Sequence, residues 1–322
     1  MYYIGIDLGG SSIKAGLLTE HGQIVMKNSK KTRIEKGPET IIADMADLTE
    51  QLLAESELEG PEVNAVGVGV PGATRDDGLV YFAPNIFWTN VPLAQLLREK
   101  LRKPVFVEND ATVAAVAEHT GGITREVANS IFITLGTGIG GGFIINHQVF
   151  SGSHGIGAEI GHMVVGHNPD YNCSCGNNGC WETFVSGTAM VKHAEKLVLE
   201  GEKSLLMDVL GGNPKRINVR HIFECARTGD QTCIKVVDRM TDYLALGIAN
   251  LINIFDPEII ALGGGISAST DLFINELKEQ VKGRIYVKRM NVTQILPSML
   301  GNEAGIIGSA MYAKNRKLNA KS

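Results

Sequence analysis

One pattern, written twice, constrains this chain more than any other feature: an apolar strand, a glycine turn carrying a hydroxyl, then a second strand. Tyr2–Leu8 ends in Asp7-Leu8-Gly9-Gly10-Ser11-Ser12, and Ser130–Leu135 ends in Leu135-Gly136-Thr137-Gly138. In the first copy, strands at Ile13–Thr19 and Gln23–Asn28 follow the turn, then a helix from about Pro38 to Ser56. A strand at Val63–Val70, a helix from about Pro92 to Leu101 and a strand at Pro104–Glu108 complete it. In the second, Gly136–Gly142 reads as turn, Phe143–Asn146 as strand and Gln148–Ser151 as the edge of a third. Helices at about Gly187–Glu200, His221–Thr228, Asp230–Phe255 and Ala268–Val281 surround a buried strand Ile259–Leu262, and a last helix spans about Asn302 to Lys314. Two copies of this order predict a duplicated α/β domain, and two such domains predict a cleft that takes a ligand.

Glycine at a strand end lets backbone N–H groups approach an anion with no Cβ in the way. Val70–Gly72 and Leu262–Ser267 are two further turns of this kind, so the repetition suits a ligand with several phosphates. No G-x-x-x-x-G-K-[ST] string is present, which excludes a P-loop. Gly67-Val68-Gly69-Val70-Pro71-Gly72 matches the dinucleotide pattern from inside a strand, and Gly136-Thr137-Gly138-Ile139-Gly140-Gly141 leads into a strand rather than a helix. Neither has the strand–turn–helix context of a Rossmann fold.

The formal charge is −5 with no long basic run, which disfavours a nucleic-acid partner. No stretch reads as a membrane span, since even Leu244–Phe255 is interrupted by Asn250 and Asn253, and the chain enters a strand pattern at its first residues. Cytoplasmic residence is the expectation. Three of the five cysteines crowd into Cys173-Ser174-Cys175-Gly176-Asn177-Asn178-Gly179-Cys180, where thiolates around a glycine turn can take three vertices of a tetrahedron. His154, His162 and His167 are candidates for the fourth ligand of a structural zinc. Cys225 and Cys233 lie on apolar helical patterns and read as core residues.

Glu108-Asn109-Asp110-Ala111 ends a buried strand and opens an apolar helix. Asp110 reads either as an N-cap or as a carboxylate that accepts the proton of a sugar hydroxyl, with Asn109 orienting the sugar. Asp7 reads either as an Asx-type turn acceptor or as a carboxylate for Mg²⁺, directly or through water. Glu159-Ile160-Gly161-His162 and Trp181-Glu182 bracket the cysteines.

Taken together, these segments resemble the ROK family (repressors, open reading frames and sugar kinases), most of all its bacterial glucokinases. Ile4-Gly5-Ile6-Asp7-Leu8-Gly9-Gly10 is similar to the family's first phosphate loop, Val107-Glu108-Asn109-Asp110-Ala111 to its catalytic segment and Leu135–Gly142 to its second phosphate loop. Glu159-Ile160-Gly161-His162, Cys173–Cys180 and Glu182 resemble its sugar and zinc signature, and Leu262-Gly263-Gly264-Gly265-Ile266 its adenosine loop.

The resemblance implies duplicated ribonuclease H-like ATPase domains of the actin/hexokinase type with a cleft between them. It implies a smaller domain of residues 1–110 plus about 301–322, and a larger one of 111–300 with a zinc loop at 162–180. It implies ATP-dependent phosphorylation of a hexose, glucose foremost, with N-acetylmannosamine, fructose or allose as alternatives. Asp110 would be the general base; Gly72, Asn85, Asn109, Glu159, His162 and Glu182 would contact the hexose. The nucleotide with Mg²⁺ would be held by Asp7, Gly9, Gly10, Ser11, Ser12, Lys14, Thr137, Gly138, Gly263, Gly264 and Gly265. Zinc would be held by His162, Cys173, Cys175 and Cys180, with His167 as the competing ligand. A homodimer or dimer of dimers is implied. A sugar-responsive repressor is the rival reading; it needs a helix-turn-helix module, for which Asp7-Leu8-Gly9-Gly10 near residue one leaves no room. An ATPase of the chaperone or cytoskeletal kind leaves the cysteines beside Glu159 and His162 unexplained.

Overall fold

The computed structural model describes residues 1–56, 62–290 and 293–319. In chain order it contains β1 (Tyr2–Leu8), β2 (Ser12–Thr19), β3 (Ile24–Lys31), α1 (Pro38–Glu55), β4 (Val63–Val70), β5 (Ala73–Thr74), β6 (Val80–Ala83), β7 (Trp88–Val91), α2 (Leu93–Leu101), β8 (Val105–Asn109) and α3 (Asp110–Gly121). There follow β9 (Ser130–Leu135), β10 (Ile139–Ile145), β11 (Gln148–Val149), α4 (Glu182–Val185), α5 (Gly187–Leu199), α6 (Leu205–Val209), α7 (Val219–Arg227), α8 (Gln231–Phe255), β12 (Ile259–Gly263), α9 (Ile274–Arg284), β13 (Gln294–Pro297) and α10 (Ala304–Asn319).

The duplication is visible in the strand orders. One sheet runs β3-β2-β1-β4-β8 and the other β11-β10-β9-β12-β13, so each sets a three-strand meander beside two later strands. β1 pairs antiparallel with β2 and parallel with β4, while β4 pairs parallel with β8. Parallel central strands must be covered on both faces, and the apolar runs of β1 and β4 are buried almost throughout.

Internal packing divides the chain into two compact units. One comprises Met1–Phe132, Gly142–Ala158 and the segment from Ser298 onward; the other comprises Ile133–Gly141 and Glu159–Pro297. The first therefore runs past the expected boundary at 110. The reason is packing: a Cβ on Gly308 of α10 would fall on the carbonyl of Val113 in α3, and one on Gly142 would lie 2.5 Å from the Ala111 carbonyl oxygen. Those contacts bind α3 and the segment after Gly142 to the first unit. The last helix returns to this unit, where Gly5 and Gly67 let β1 and β4 approach the backbone of Ile306 and Ser309. Residues 320–322 of the expected return segment lie outside the described residues.

Several expected elements differ. β10 starts at Ile139 rather than Phe143, and its Gly142 serves close packing on the α3 backbone rather than a turn. The helix expected over Ala268–Val281 is a 3-10 helix, Gly265–Leu272, followed by α9, the run of Ser, Thr and Asp favouring local turns. The small sheet β5-β6-β7, and the strand β13, were not anticipated. Among the described residues no helix is long and apolar enough to cross a membrane.

Candidate active site

In the first unit, β1 delivers Asp7 opposite Lys14 of β2, with the Lys14 Nζ 3.5 Å from the carboxylate. Burial pushes the Asp7 carboxyl above its ordinary range, and the Lys14 ammonium opposes that shift. Gly305 makes room for it, since a Cβ there would lie 2.5 Å from Asp7 Cγ. The following bend is fixed from one side. Gly9 N–H donates to the Ser12 carbonyl at 2.9 Å, and Thr32 donates through Oγ1 to Gly9 O at 2.7 Å and through its N–H to Ser11 O at 3.0 Å. Gly10 and Ser11 are exposed at the tip, and Ser12 is half-buried.

At the end of β8, Asn109 rather than Asp110 caps α3. Its Oδ1 accepts from the N–H of Ala111 at 2.9 Å and Thr112 at 3.2 Å, while Nδ2 donates to the Gly72 carbonyl at 3.1 Å. The N-cap reading of Asp110 is thus overturned: it is the first residue of the helix, half-buried, its Oδ1 accepting from Ala111 N–H at 2.8 Å. Gly72 is pressed against Ala83 of β6, where a Cβ would lie 2.6 Å from the Ala83 Cβ. Asn85 sits exposed on the 3-10 turn Pro84–Ile86 between β6 and β7. The structure therefore joins Gly72, Asn109 and Asp110 directly.

In the second unit the turn after β9 meets a helix N-terminus. Gly187 N–H, opening α5, donates to Gly136 O at 2.8 Å, and Thr188 Oγ1 donates to Thr137 O at 2.9 Å. Thr137 is exposed. Glycine turns and helix N-termini both favour anions, so their coincidence suits a phosphate. Gly264, at φ +83°, turns β12 against the end of β9, where a Cβ would fall on the Leu135 backbone, so the Gly263–Gly265 turn lies beside the Leu135–Gly138 turn.

Glu182 lies between two features of this unit. A Cβ on Gly138 would stand 3.0 Å from its Oε2, and the Cys173 thiol donates to its Oε1 at 2.9 Å. Glu159 precedes the 3-10 turn Ile160–His162. Desolvation holds its carboxyl above the ordinary range, His162 works against that shift and Glu182 adds to it. Glu159, His162 and Glu182 are thereby neighbours.

One donor atom from each of His162, Cys173, Cys175 and Cys180 lies within 4.8 Å of the other three. Cys175 Sγ is 3.6 Å from Cys180 Sγ, and Cys173 Sγ is 3.5 Å from His162 Nδ1. A tetrahedral ion with metal–sulfur bonds of about 2.3 Å and a metal–nitrogen bond of about 2.0 Å sets its ligands about 3.5–3.8 Å apart. The donor set fits such an ion, and the sulfurs are too far apart for a disulfide, which needs about 2.05 Å. His167, the competing residue, is exposed and is not among the clustered donors, and neither is His154. Cys225 and Cys233 are buried in α7 and α8, as expected of core residues.

The family model for the ROK family matches residues 3–316. The chain belongs to the ROK family. A glucokinase from Thermotoga maritima is 39% identical over 97% of each chain. A ROK glucokinase from Streptomyces griseus, solved in complex with glucose and AMPPNP, is 33% identical with a TM-score of 0.83, covering 98% of this chain and 100% of that one. A xylose repressor from Caldicellulosiruptor bescii is 31% identical, with 95% of this chain matching 76% of the repressor. The two-unit ROK architecture with repeated sheets is the actin/hexokinase-type kinase fold expected from the sequence. Reading the sequence alone missed the Glu108 carboxylate, which accepts from Thr74 and Ser151, and Gly305, which packs on Asp7. The one available signal was Glu108 itself, a charge at the end of an otherwise apolar strand.

Proposed function

We propose that this chain transfers the γ-phosphoryl group of ATP to glucose, with Asp110 as the general base. The observation that carries the reading is the first turn of α3. Asn109 takes the capping role, which leaves Asp110 as a half-buried carboxylate beside the Gly72–Asn109 bond. A sugar alcohol is a weak nucleophile at neutral pH, and a carboxylate aimed at the attacking hydroxyl, here the 6-OH, supplies the missing basicity. The likeness to glucokinases over nearly the full chain supports glucose as the acceptor.

Gly72, Asn85, Asn109, Glu159, His162 and Glu182 bind the hexose hydroxyls. Gly9, Gly10, Ser11 and Ser12 with Lys14, and Thr137 with Gly138 at the α5 N-terminus, hold the phosphates; Gly263–Gly265 holds the adenosine. Mg²⁺ held by Asp7 would neutralise phosphate charge. Zinc on His162 Nδ1, Cys173, Cys175 and Cys180 would close the loop around Glu182 and leave no open coordination position for chemistry. His162 then keeps Nε2 for a sugar hydroxyl. A cytoplasmic location suits an ATP-consuming enzyme with reduced thiols, and a homodimer or dimer of dimers belongs to the same proposal.

The decisive variant is Asp110→Asn. It should bind glucose with near-normal affinity while kcat falls about 10²–10⁴-fold; a kcat close to the parent's rejects the base. A coupled assay across glucose, N-acetylmannosamine, fructose and allose should give the highest kcat/KM for glucose. Turnover of this kind also separates the enzyme from a repressor-type sugar sensor, which needs binding alone.

A further inference from the structure

Glu108 is only 5% exposed, yet it carries a carboxylate into the interior of the first unit. Burying such a group is costly unless every lone pair is used. Its hydrogen-bond partners are two hydroxyls and a backbone amide. Oε1 accepts from Thr74 Oγ1 at 3.2 Å and from Asn109 N–H at 2.8 Å, and Oε2 accepts from Ser151 Oγ at 3.1 Å. Tyr312, on α10, is a further neighbour, and burial together with the negative charge of Glu108 pushes its phenol well above the usual range.

With Tyr312, these partners bring four separate pieces of chain to Glu108. Thr74 closes β5, two residues after Gly72. Ser151 opens the segment that runs on to Glu159. Tyr312 belongs to the helix that supports β1 and β4, and Asn109 is the cap of α3. Asn109 ties back to Gly72, so Glu108 and Asn109 together hold the Gly72–Thr74 segment at two points. An apolar residue at 108 would fill the space without desolvating a charge. What only the carboxylate supplies is a rigid, many-armed acceptor fixing the peptide that leads into Asp110.

We propose that Glu108 is a positioning residue for phosphoryl transfer, acting through the Asn109 amide and the β5 hydroxyl to aim Asp110 and Gly72. This rests on the reading of Asp110 as the base. A reacting group displaced by about 1 Å loses on the order of 10²-fold in rate, so the effect belongs in kcat rather than in nucleotide affinity.

The test compares Glu108→Ala, Glu108→Gln, Thr74→Val, Ser151→Ala and Asp110→Asn in the full chain. For each, kcat, the KM for glucose and ATP, and the thermal unfolding midpoint are measured, with rates corrected for the folded fraction. Glu108→Ala should lose about 10²-fold in kcat with KM for ATP within about twofold. Glu108→Gln, which keeps an acceptor for the Asn109 amide, should recover at least about tenfold of that loss. Thr74→Val and Ser151→Ala, which leave the carboxylate in place, should each lower kcat several-fold with little change in melting. If Glu108→Ala does not fold, these two decide the matter. The inference is overturned if the hydroxyl variants keep full kcat, or if the Glu108→Ala loss vanishes on correction for folded protein, while Asp110→Asn is inactive. If Asp110→Asn is itself active, the base falls and Glu108 has nothing to position.

Discussion

Cys175 and Cys180 hold their sulfurs 3.6 Å apart without bonding, and Cys173 shares its surroundings with His162 Nδ1 and Glu182. Without an ion, three thiols and an imidazole so close together gain little; with one, they close a loop whose Gly176 and Gly179 sit at positive φ. Cys180→Ser should therefore lower the zinc content, measured by atomic absorption, from about one ion per chain. It should also lower stability by on the order of 4 kcal/mol or more, as loss of a structural metal does. A chelator should shift the thermal midpoint of the parent the same way; parent protein that binds no zinc and melts unchanged with chelator would reject the site. The thiols were legible in the sequence because a chelating loop must be short. Spacing alone left His154, His162 and His167 open, and the family resemblance chose His162; the 3-10 turn at Ile160–His162, packed by Gly161 on Ile139, is what brings it to the cluster. Glu108 was illegible as a hub for the opposite reason: Thr74, Ser151 and Tyr312 are all distant in sequence.

Elements with a strong period and an end signal were readable. β1, β4, β9, α1 and α5 fall where hydrophobic spacing and glycine or serine boundaries put them, and Asp230, the expected first residue of α8, is its cap, one residue before the observed helix. Short elements defined by partners were not, as β5, β6 and β7 have two to four residues each and pair mainly with one another. Nor does a glycine announce whether it turns a chain or lets another one in. Gly308 does the latter: α10 and α3 touch backbone to backbone there, and a methyl group would strike the Val113 carbonyl. Gly308→Ala should cost about 1–3 kcal/mol by overpacking, read as a lower urea midpoint with an unchanged slope. Because α3 begins at Asp110, kcat should fall as well. Unaltered stability would mean that α10 shifts freely, and the packing account of the first unit would be wrong.

At the scale of the whole molecule, the repeated sheet order was foreseeable from the repeated strand–turn–strand pattern, whereas the path of the chain between units was not. The chain passes from one compact unit to the other after Phe132, Gly141, Ala158 and Pro297. The last of these passages is followed at once by an unusual anchor. Glu118, fully buried near the end of α3, accepts from the N–H of Met299 at 3.0 Å and Leu300 at 2.9 Å through Oε1, and from Ile123 N–H at 2.9 Å through Oε2. One carboxylate thus fixes the re-entering chain to the helix that begins with Asp110. Removing it takes the acceptor from three amides, each worth about 1–3 kcal/mol where water does not replace the lost bond. Glu118→Ala should accordingly lose on the order of 3 kcal/mol of stability. Hydrogen exchange localises the effect: the amides of Ile123, Met299 and Leu300 should exchange much faster, while those of β12 keep their protection. Glu118→Gln, which retains one acceptor oxygen, should fall between. If the three amides stay protected in the alanine variant, the re-entering strand is held by something other than this carboxylate, and α3 is not its anchor.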